Sequence, residues 1–371
     1  MRVLVTGGAG YIGSITVRHL LDHGHSVAVL DSLERGHAPS VDPRAWLIEG
    51  SVGDLALLDD VLPDVDVVVH CAGYIEVAES QRDPDLYYRK NLAEPSRMLD
   101  RMVRCGVRKL VFSSTAAVYG EPDRMPITED TPRHPVNVYG ASKLAFERLI
   151  EVSEATGAID AVRFRYFNVA GAWPDGSLGE AHEPETHIVP RLLRVAAAGD
   201  GAFTLFGTDY PTPDGTCVRD YIHVLDLAEA HRRAVEYLGD DGDPVVCNLG
   251  SGRGYSNREV VEMCSRVVGQ DIRVEEGPRR DGDPPSLIAS NRMAERILGW
   301  RPQRDLETMV RDAWTWHQAH PRGYHGLKVA AFAHGQTAPI PDETVLAPDQ
   351  TGPTAEQTAA PPEHHKPSHK G

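Results

Sequence analysis

Tyr139 and Lys143 stand four residues apart in Tyr139-Gly-Ala-Ser-Lys143. If Val138–Ala155 is a helix, both side chains project from one face, about one turn apart. A phenol ionises near pH ~10 in water. A neighbouring ammonium favours the phenolate and brings its pKa toward working pH. Such a tyrosine can take the proton of an alcohol while hydride leaves the same carbon, provided a hydride acceptor lies alongside. Tyr-x-x-x-Lys occurs by chance on many helices, so its meaning depends on whether the chain builds a site for that acceptor.

The first residues supply one. Val3-Leu4-Val5-Thr6-Gly7-Gly8-Ala9-Gly10-Tyr11-Ile12-Gly13 runs from a strand through glycines into a helix. One glycine permits the tight turn, a second lets backbone N–H groups touch a pyrophosphate, and a third lets the helix lie close on the strand. Asp31 ends the next strand-like run, Val27–Leu30. A carboxylate there accepts both ribose hydroxyls and repels a 2′-phosphate, which favours NAD over NADP. Asp54 and Leu55 follow the third strand region, where an acidic side chain can meet the adenine amino group. Ala72 and Gly73 end the following strand in His70-Cys71-Ala72-Gly73, and small residues there let a dinucleotide pass. Ser113, Ser114 and Thr115 follow strand Lys109–Val111, and hydroxyls at a strand's carboxyl end face the cofactor crevice in sheets of this kind.

These groups need a scaffold. Strand-like runs at Val3–Val5, Val27–Leu30, Val65–His70, Lys109–Ser113 and Ala161–Phe167 alternate with amphipathic segments such as Ser14–His23 and Glu94–Cys105. That alternation predicts an α/β fold, a Rossmann-like doubly wound parallel sheet. From about Pro174 the pattern turns irregular and rich in Gly, Pro and Asp, which predicts a smaller mixed α/β substrate-binding lobe. The expected division is 1–173 for the NAD-binding domain, with 221–250 returning to it, and 174–324 for the second lobe. Residues 325–371, rich in Pro, Ala, Thr and Gln, read as a disordered tail. Its His364, His365 and His369 read as solvated, and no metal ligand is assigned.

The formal net charge of −16 argues against nucleic acid as a partner. It also requires that an anionic ligand meet arginines gathered locally. No apolar run is long enough for a membrane span, and no signal segment precedes MRVLVTGG. Five scattered cysteines without zinc or redox spacing suggest reduced thiols in a cytoplasm.

Taken together these motifs resemble the extended short-chain dehydrogenase/reductase family, and within it the UDP-galactose (UDP-glucose) 4-epimerases. The resemblance covers about residues 1–320. Its most specific stretches are Arg165-Tyr-Phe-Asn-Val-Ala-Gly-Ala172, Phe206-Gly-Thr-Asp-Tyr-Pro-Thr212 and Asp214-Gly-Thr-Cys-Val-Arg-Asp-Tyr-Ile-His-Val224. It implies Tyr139 as general base, Lys143 as its electrostatic partner and ribose anchor, and Thr115 where the family usually has a catalytic serine. Asn91 and Tyr166 join the cofactor set. Asn168 is implied to hold a diphosphate oxygen, with Arg219 and Arg280 clamping the UDP phosphates. Phe206 is placed near the uracil and Asp283 near its ribose. The implied reaction oxidises C4 of the sugar, lets the 4-keto sugar rotate, and reduces its other face, with NAD unchanged and a homodimer as the assembly.

Three positions depart from the pattern: Ile75 stands where the family often has lysine, His187 where it commonly has asparagine, and Leu287 where some members have a bulky tyrosine. The smaller Leu287 leaves room for N-acetylated sugars. Ala116-Ala117 replaces the acid–base pair that a 4,6-dehydratase needs after Thr115. The remaining alternatives are a 4-epimerase for N-acetylhexosamines, pentoses or uronic acids, an oxidoreductase releasing NADH, and a non-catalytic NAD-sensing scaffold.

Overall fold

The structure, a computed structural model, describes residues 1–280 and 282–329. Thirteen strands are found among them: β1 Arg2–Thr6, β2 Ser26–Asp31, β3 Trp46–Glu49, β4 Val67–His70, β5 Lys109–Thr115, β6 Asp160–Tyr166, β7 Asn168–Ala170, β8 Phe203–Phe206, β9 Val218–His223, β10 Val245–Leu249, β11 Gly254–Ser256, β12 Val274–Gly277 and β13 Ser286–Leu287. The α-helices are α1 Tyr11–Asp22, α2 Leu55–Val61, α3 Val77–Arg82, α4 Pro84–Tyr88, α5 Glu94–Cys105, α6 Val138–Ala155, α7 Ile188–Ala198, α8 Val224–Gly239, α9 Asn257–Val268, α10 Arg292–Leu298 and α11 Leu306–Ala319.

Seven strands form one parallel sheet in the order β10-β6-β5-β4-β1-β2-β3. Its strands are apolar on both faces because both faces are covered. Val3 and Val5 of β1 pack with Val17 and Leu20 of α1 and with Leu227, Ala234 and Leu238 of α8. Leu4, between them, points the other way, into the layer of Met98 and Met102 from α5 and Phe146 and Ile150 from α6. The chain order reverses at β1, with β2 on one side and β4 on the other, and a ligand crevice opens at the carboxyl ends of strands at such a point.

Strand β4 starts two residues later than its apolar run suggests. The Val65 amide closes a turn on Leu62 O, and Asp66 accepts from the Arg2 amide. The 221–250 segment leaves β9, forms α8 on the sheet's α1 face, and adds β10 beside β6. The remaining strands form two small sheets, β11-β9-β13 with β7 on β9, and β12-β8. Helices α7, α9 and α11 cover them around Leu192, Val260 and Val310. The tail histidines lie outside the described residues.

Helix α6 is fastened to the sheet by charge. Glu147 is fully buried, and Arg165 of β6 donates to it from Nη2 at 2.6 Å and from Nε at 3.0 Å. Ser114 of β5 donates to the same carboxylate at 2.5 Å, and Arg165 Nη1 donates to Tyr119 Oη at 2.9 Å. Glu147 lies four residues beyond Lys143 and eight beyond Tyr139, so one helix face carries all three. Glu147→Ala leaves a buried guanidinium without its counter-charge. We expect a loss of about 3–5 kcal/mol in urea unfolding, with part recovered when Arg165 is also replaced by Met. A loss below ~1 kcal/mol for the single variant refutes this fastening.

Candidate functional site

A cleft of about 1470 Å³ runs from the carboxyl ends of β1, β2 and β4 across to the second lobe. Its cofactor half begins at the glycine turn. Gly7 has φ +72°, and a Cβ there would sit 2.5 Å from the Ala72 amide nitrogen. At Gly13 a Cβ would lie 2.1 Å from Gly7 O, so only glycine lets α1 start this close to the loop. Helix α1 is capped by Gly10 without a side-chain hydrogen bond and has no acidic residue in its first turn. Its free N–H groups and positive dipole end face the cleft, a ready anion site. Gly7, Gly10, Tyr11, Ile12 and Gly13 all line it. The Tyr11 hydroxyl donates to Gly171 O at 2.6 Å.

Asp31 also lines the cleft, with its carboxylate partly engaged. Oδ2 accepts from the Ala9 amide and Oδ1 from the Leu33 amide, each at 2.9 Å. Burial raises its pKa, and these two amides oppose the rise. The carboxylate therefore shapes the glycine loop as well as meeting the space beyond it. Ala72 and Gly73 line the cleft. Asp54 and Leu55 are not among the lining residues. The Asp54 carboxylate caps α2 by accepting from the Ala56 and Leu57 amides, while Gly50, Ser51 and Val52 form that wall. Asn91 is a buried clamp: Oδ1 accepts from the Tyr74 amide at 2.8 Å and Nδ2 donates to Tyr74 O and Ser142 Oγ.

At the centre, Tyr139, Thr115 and Tyr166 line the cleft together. Burial raises the Tyr139 pKa to about 12, and a hydrogen bond with Thr115 opposes the rise. Thr115 Oγ1 accepts from the Ala117 amide at 3.1 Å, leaving its O–H to donate. Tyr166 is held still higher, by burial and then by the nearby Tyr139. Lys143 is buried, and its Nζ donates to Ser113 O at 3.2 Å, 5.1 Å from the Phe112 ring centroid. Burial lowers its pKa to about 8. The shift of Tyr139 follows burial and Thr115, while the Lys143 ammonium is directed at Ser113 O. Of the three strand-end hydroxyls only Thr115 reaches the cleft. Ser113 Oγ pairs with His231 and Cys71, and Ser114 with Glu147.

Across the cleft from the glycine turn, Asn168, His187, Arg219, Arg280, Asp283 and Leu287 line it. Arg219 Nη1 donates to Val218 O and Pro284 O, and its Nη2 lies 3.4 Å from Asp283 Oδ1. Its guanidinium is thereby fixed at the join of β9 and β13, which pair at Leu287↔Arg219. Phe206 is not among the lining residues; it lies beneath Arg280, whose guanidinium sits 4.3 Å from the ring centroid. The His187 ring bonds Glu180 through Nδ1. Burial lowers its pKa, but Glu180 and Glu185 outweigh that and lift it to about 9. Sequence reasoning missed Arg191, which lines the cleft from α7 and lies in the field of Arg280. It also missed Glu180, His182 and Glu185, which gather around His187. A strongly acidic chain thus brings three arginines to one wall.

Residues 3–250 match the NAD dependent epimerase/dehydratase family. The curated UDP-glucose 4-epimerase of Lacticaseibacillus casei is 47% identical, over 87% of this chain and 99% of its own length. That of Corynebacterium glutamicum is 48% identical, over 89% and 100%. A crystal structure of the UDP-glucose 4-epimerase of Bifidobacterium longum in complex with NAD+ and UDP superposes with a TM-score of 0.83, at 37% identity, covering 87% of this chain and 100% of that one. The glycine cradle, the uncapped helix start and the carboxylate at the end of β2 suit the dinucleotide that this kinship implies, and the chain belongs to the NAD-dependent epimerase/dehydratase family.

Proposed function

We propose that this protein is an NAD-dependent UDP-glucose 4-epimerase, interconverting UDP-galactose and UDP-glucose. The observation that carries the reading is one cleft in which a dinucleotide cradle, the Tyr139–Thr115 pair and the arginine wall are continuous. The Bifidobacterium relative binds NAD+ and UDP, the two ligands these halves suit.

NAD, when bound, supplies the hydride acceptor and then the donor for C4, and its cationic ring adds the positive charge that favours the Tyr139 phenolate. Tyr139 takes the C4 hydroxyl proton and later returns one to the same oxygen when the rotated 4-keto sugar is reduced. Thr115 bridges the sugar oxygen and the phenol. Lys143, whose Nζ donates to Ser113 O, anchors the cofactor ribose. Arg219, Arg280 and Arg191 grip the diphosphate, with Asn168 on one of its oxygens, Phe206 buttressing Arg280 and Asp283 beside the uridine ribose. Asp54 and Leu55 support the adenine side from behind the wall of Gly50, Ser51 and Val52, and Asn91 supports the ribose side by clamping Tyr74. Holding the UDP while gripping the sugar loosely lets the 4-keto sugar turn over.

Leu287 lines the pocket where bulk restricts the C2 substituent, so N-acetylated hexoses form a second substrate class. Val103 of α5 and Val152 of α6 are exposed apolar groups on the two helices proposed to pair in a homodimer. The five cysteines are free, which suits a reducing cytoplasm.

Purified protein is expected to convert UDP-galactose without added NAD, and UDP-N-acetylgalactosamine more slowly. Tyr139→Phe lowers kcat by about 100- to 10,000-fold while the protein keeps its NAD; near-normal turnover removes Tyr139 from the chemistry. Thr115→Val deletes the bond that lowers the Tyr139 pKa. Since activity rises as the phenol ionises, the acidic limb of the kcat–pH profile then moves to higher pH. An unmoved limb, with kcat reduced, assigns Thr115 to substrate positioning alone.

A further inference from the structure

Four side chains of one short segment converge beside the cleft: Glu180, His182, Glu185 and His187, in the spacing Glu-x-His-x-x-Glu-x-His. Each offers one ligand atom, and these atoms lie within 4.8 Å of one another. His182 Nδ1 is 3.0 Å from Glu180 Oε1 and 4.0 Å from Glu185 Oε1. His187 Nδ1 bonds Glu180 Oε1 and lies 3.8 Å from Glu185 Oε1. Ligands about 2.0–2.2 Å from a tetrahedral ion stand roughly 3.3–3.6 Å apart, so small side-chain adjustments close this set around one cation.

The cluster is unsatisfied in a way that points to an ion. The Glu185 side chain is 1% exposed, yet its Oε2 has no hydrogen-bond partner. Arg194 Nη2 lies 3.8 Å from that oxygen, beyond hydrogen-bond reach, and is half-exposed, while Oε1 accepts from the His187 amide at 2.9 Å. His182 Nδ1 is likewise buried and close to Glu180 but out of line for a hydrogen bond. Two carboxylates in so little water are costly unless positive charge joins them.

We propose that Glu180, His182, Glu185 and His187 form a binding site for a divalent transition metal of the zinc or cobalt class. Two imidazole nitrogens with two carboxylate oxygens suit such ions better than magnesium or calcium, which prefer oxygen alone. The metal is structural: it ties down the segment leading into α7, the helix that carries Arg191 to the cleft. Coordination through Nδ1 leaves the proton of His187 on Nε2, fixing that nitrogen as a donor. Only the use of that donor by a sugar rests on the epimerase reading; the site does not.

The test titrates chelator-treated, full-length, NAD-containing protein with Co2+, following visible absorption, and counts bound Zn2+ by elemental analysis. Wild type is expected to take one tight equivalent, with a low-coordinate Co2+ spectrum free of thiolate charge transfer and displaced by one equivalent of Zn2+. His182→Gln/Glu185→Gln loses that equivalent while keeping NAD and its circular dichroism. Should the double variant fail to fold, Glu185→Gln alone serves, with at least ~10-fold weaker binding expected. The proposal is overturned if wild type takes no tight equivalent. It is equally overturned if the variants bind as wild type does, which would assign the metal to His19, His23 and Glu229 or to the tail histidines.

Discussion

Arg165 and Glu147 meet where water does not reach, and the position of the phenol two helical turns away follows from their meeting. A helix that lies on a sheet through apolar contacts alone can slide by a fraction of a turn at small cost. A buried guanidinium that donates to a buried carboxylate cannot, because each displaced hydrogen bond leaves charge unpaired in a low-dielectric interior. Ser114 and Tyr119 complete the network from β5 and the turn after it. Since Thr115 is the next residue after Ser114, the strand that anchors Glu147 also presents the hydroxyl that meets Tyr139. Acid–base geometry and helix docking are the same piece of construction.

The cleft divides its labour by rigidity. Its cofactor half is built from backbone: glycine contacts too close for any Cβ, an open helix start, and a carboxylate tied by two amides. Its other half carries arginines from separate elements: Arg191 of α7, Arg219 of β9 and Arg280 beyond β12. Backbone cradles suit a cofactor that stays, whereas guanidiniums suit a diphosphate through paired N–H donors.

Sequence periodicity made the parallel sheet and both faces of helices legible, because buried strands need unbroken Val and Leu runs. Helices α5 and α6 fall where the apolar spacing places them. Strand β3, Trp46–Glu49, is four residues with one acid and carries no such signal. Among site residues, the glycine run and Asp31 were readable because backbone needs dictate them. Asp54 was read as a ligand group, although an aspartate just before Leu55-Ala-Leu-Leu58 is also a helix-cap signal, and in the structure it acts as a cap. Lys143 was legible as a cation near the site, but its grip on Ser113 O depends on how deep α6 sits. Arg191, one of two arginines in an otherwise apolar helix, and Glu180 with its neighbours are brought to the cleft by tertiary packing that no local pattern encodes.

Epimerisation by this route oxidises one carbon of a nucleotide-linked hexose and reduces it again, so its hydrogen must leave and return as hydride. UDP-galactose deuterated at C4, incubated with the purified protein in ordinary water, tests it most directly. UDP-glucose that retains deuterium at C4 is expected, because the hydrogen leaves and returns as hydride without meeting solvent. Product carrying protium at C4, or no product from protein that contains NAD, would contradict it.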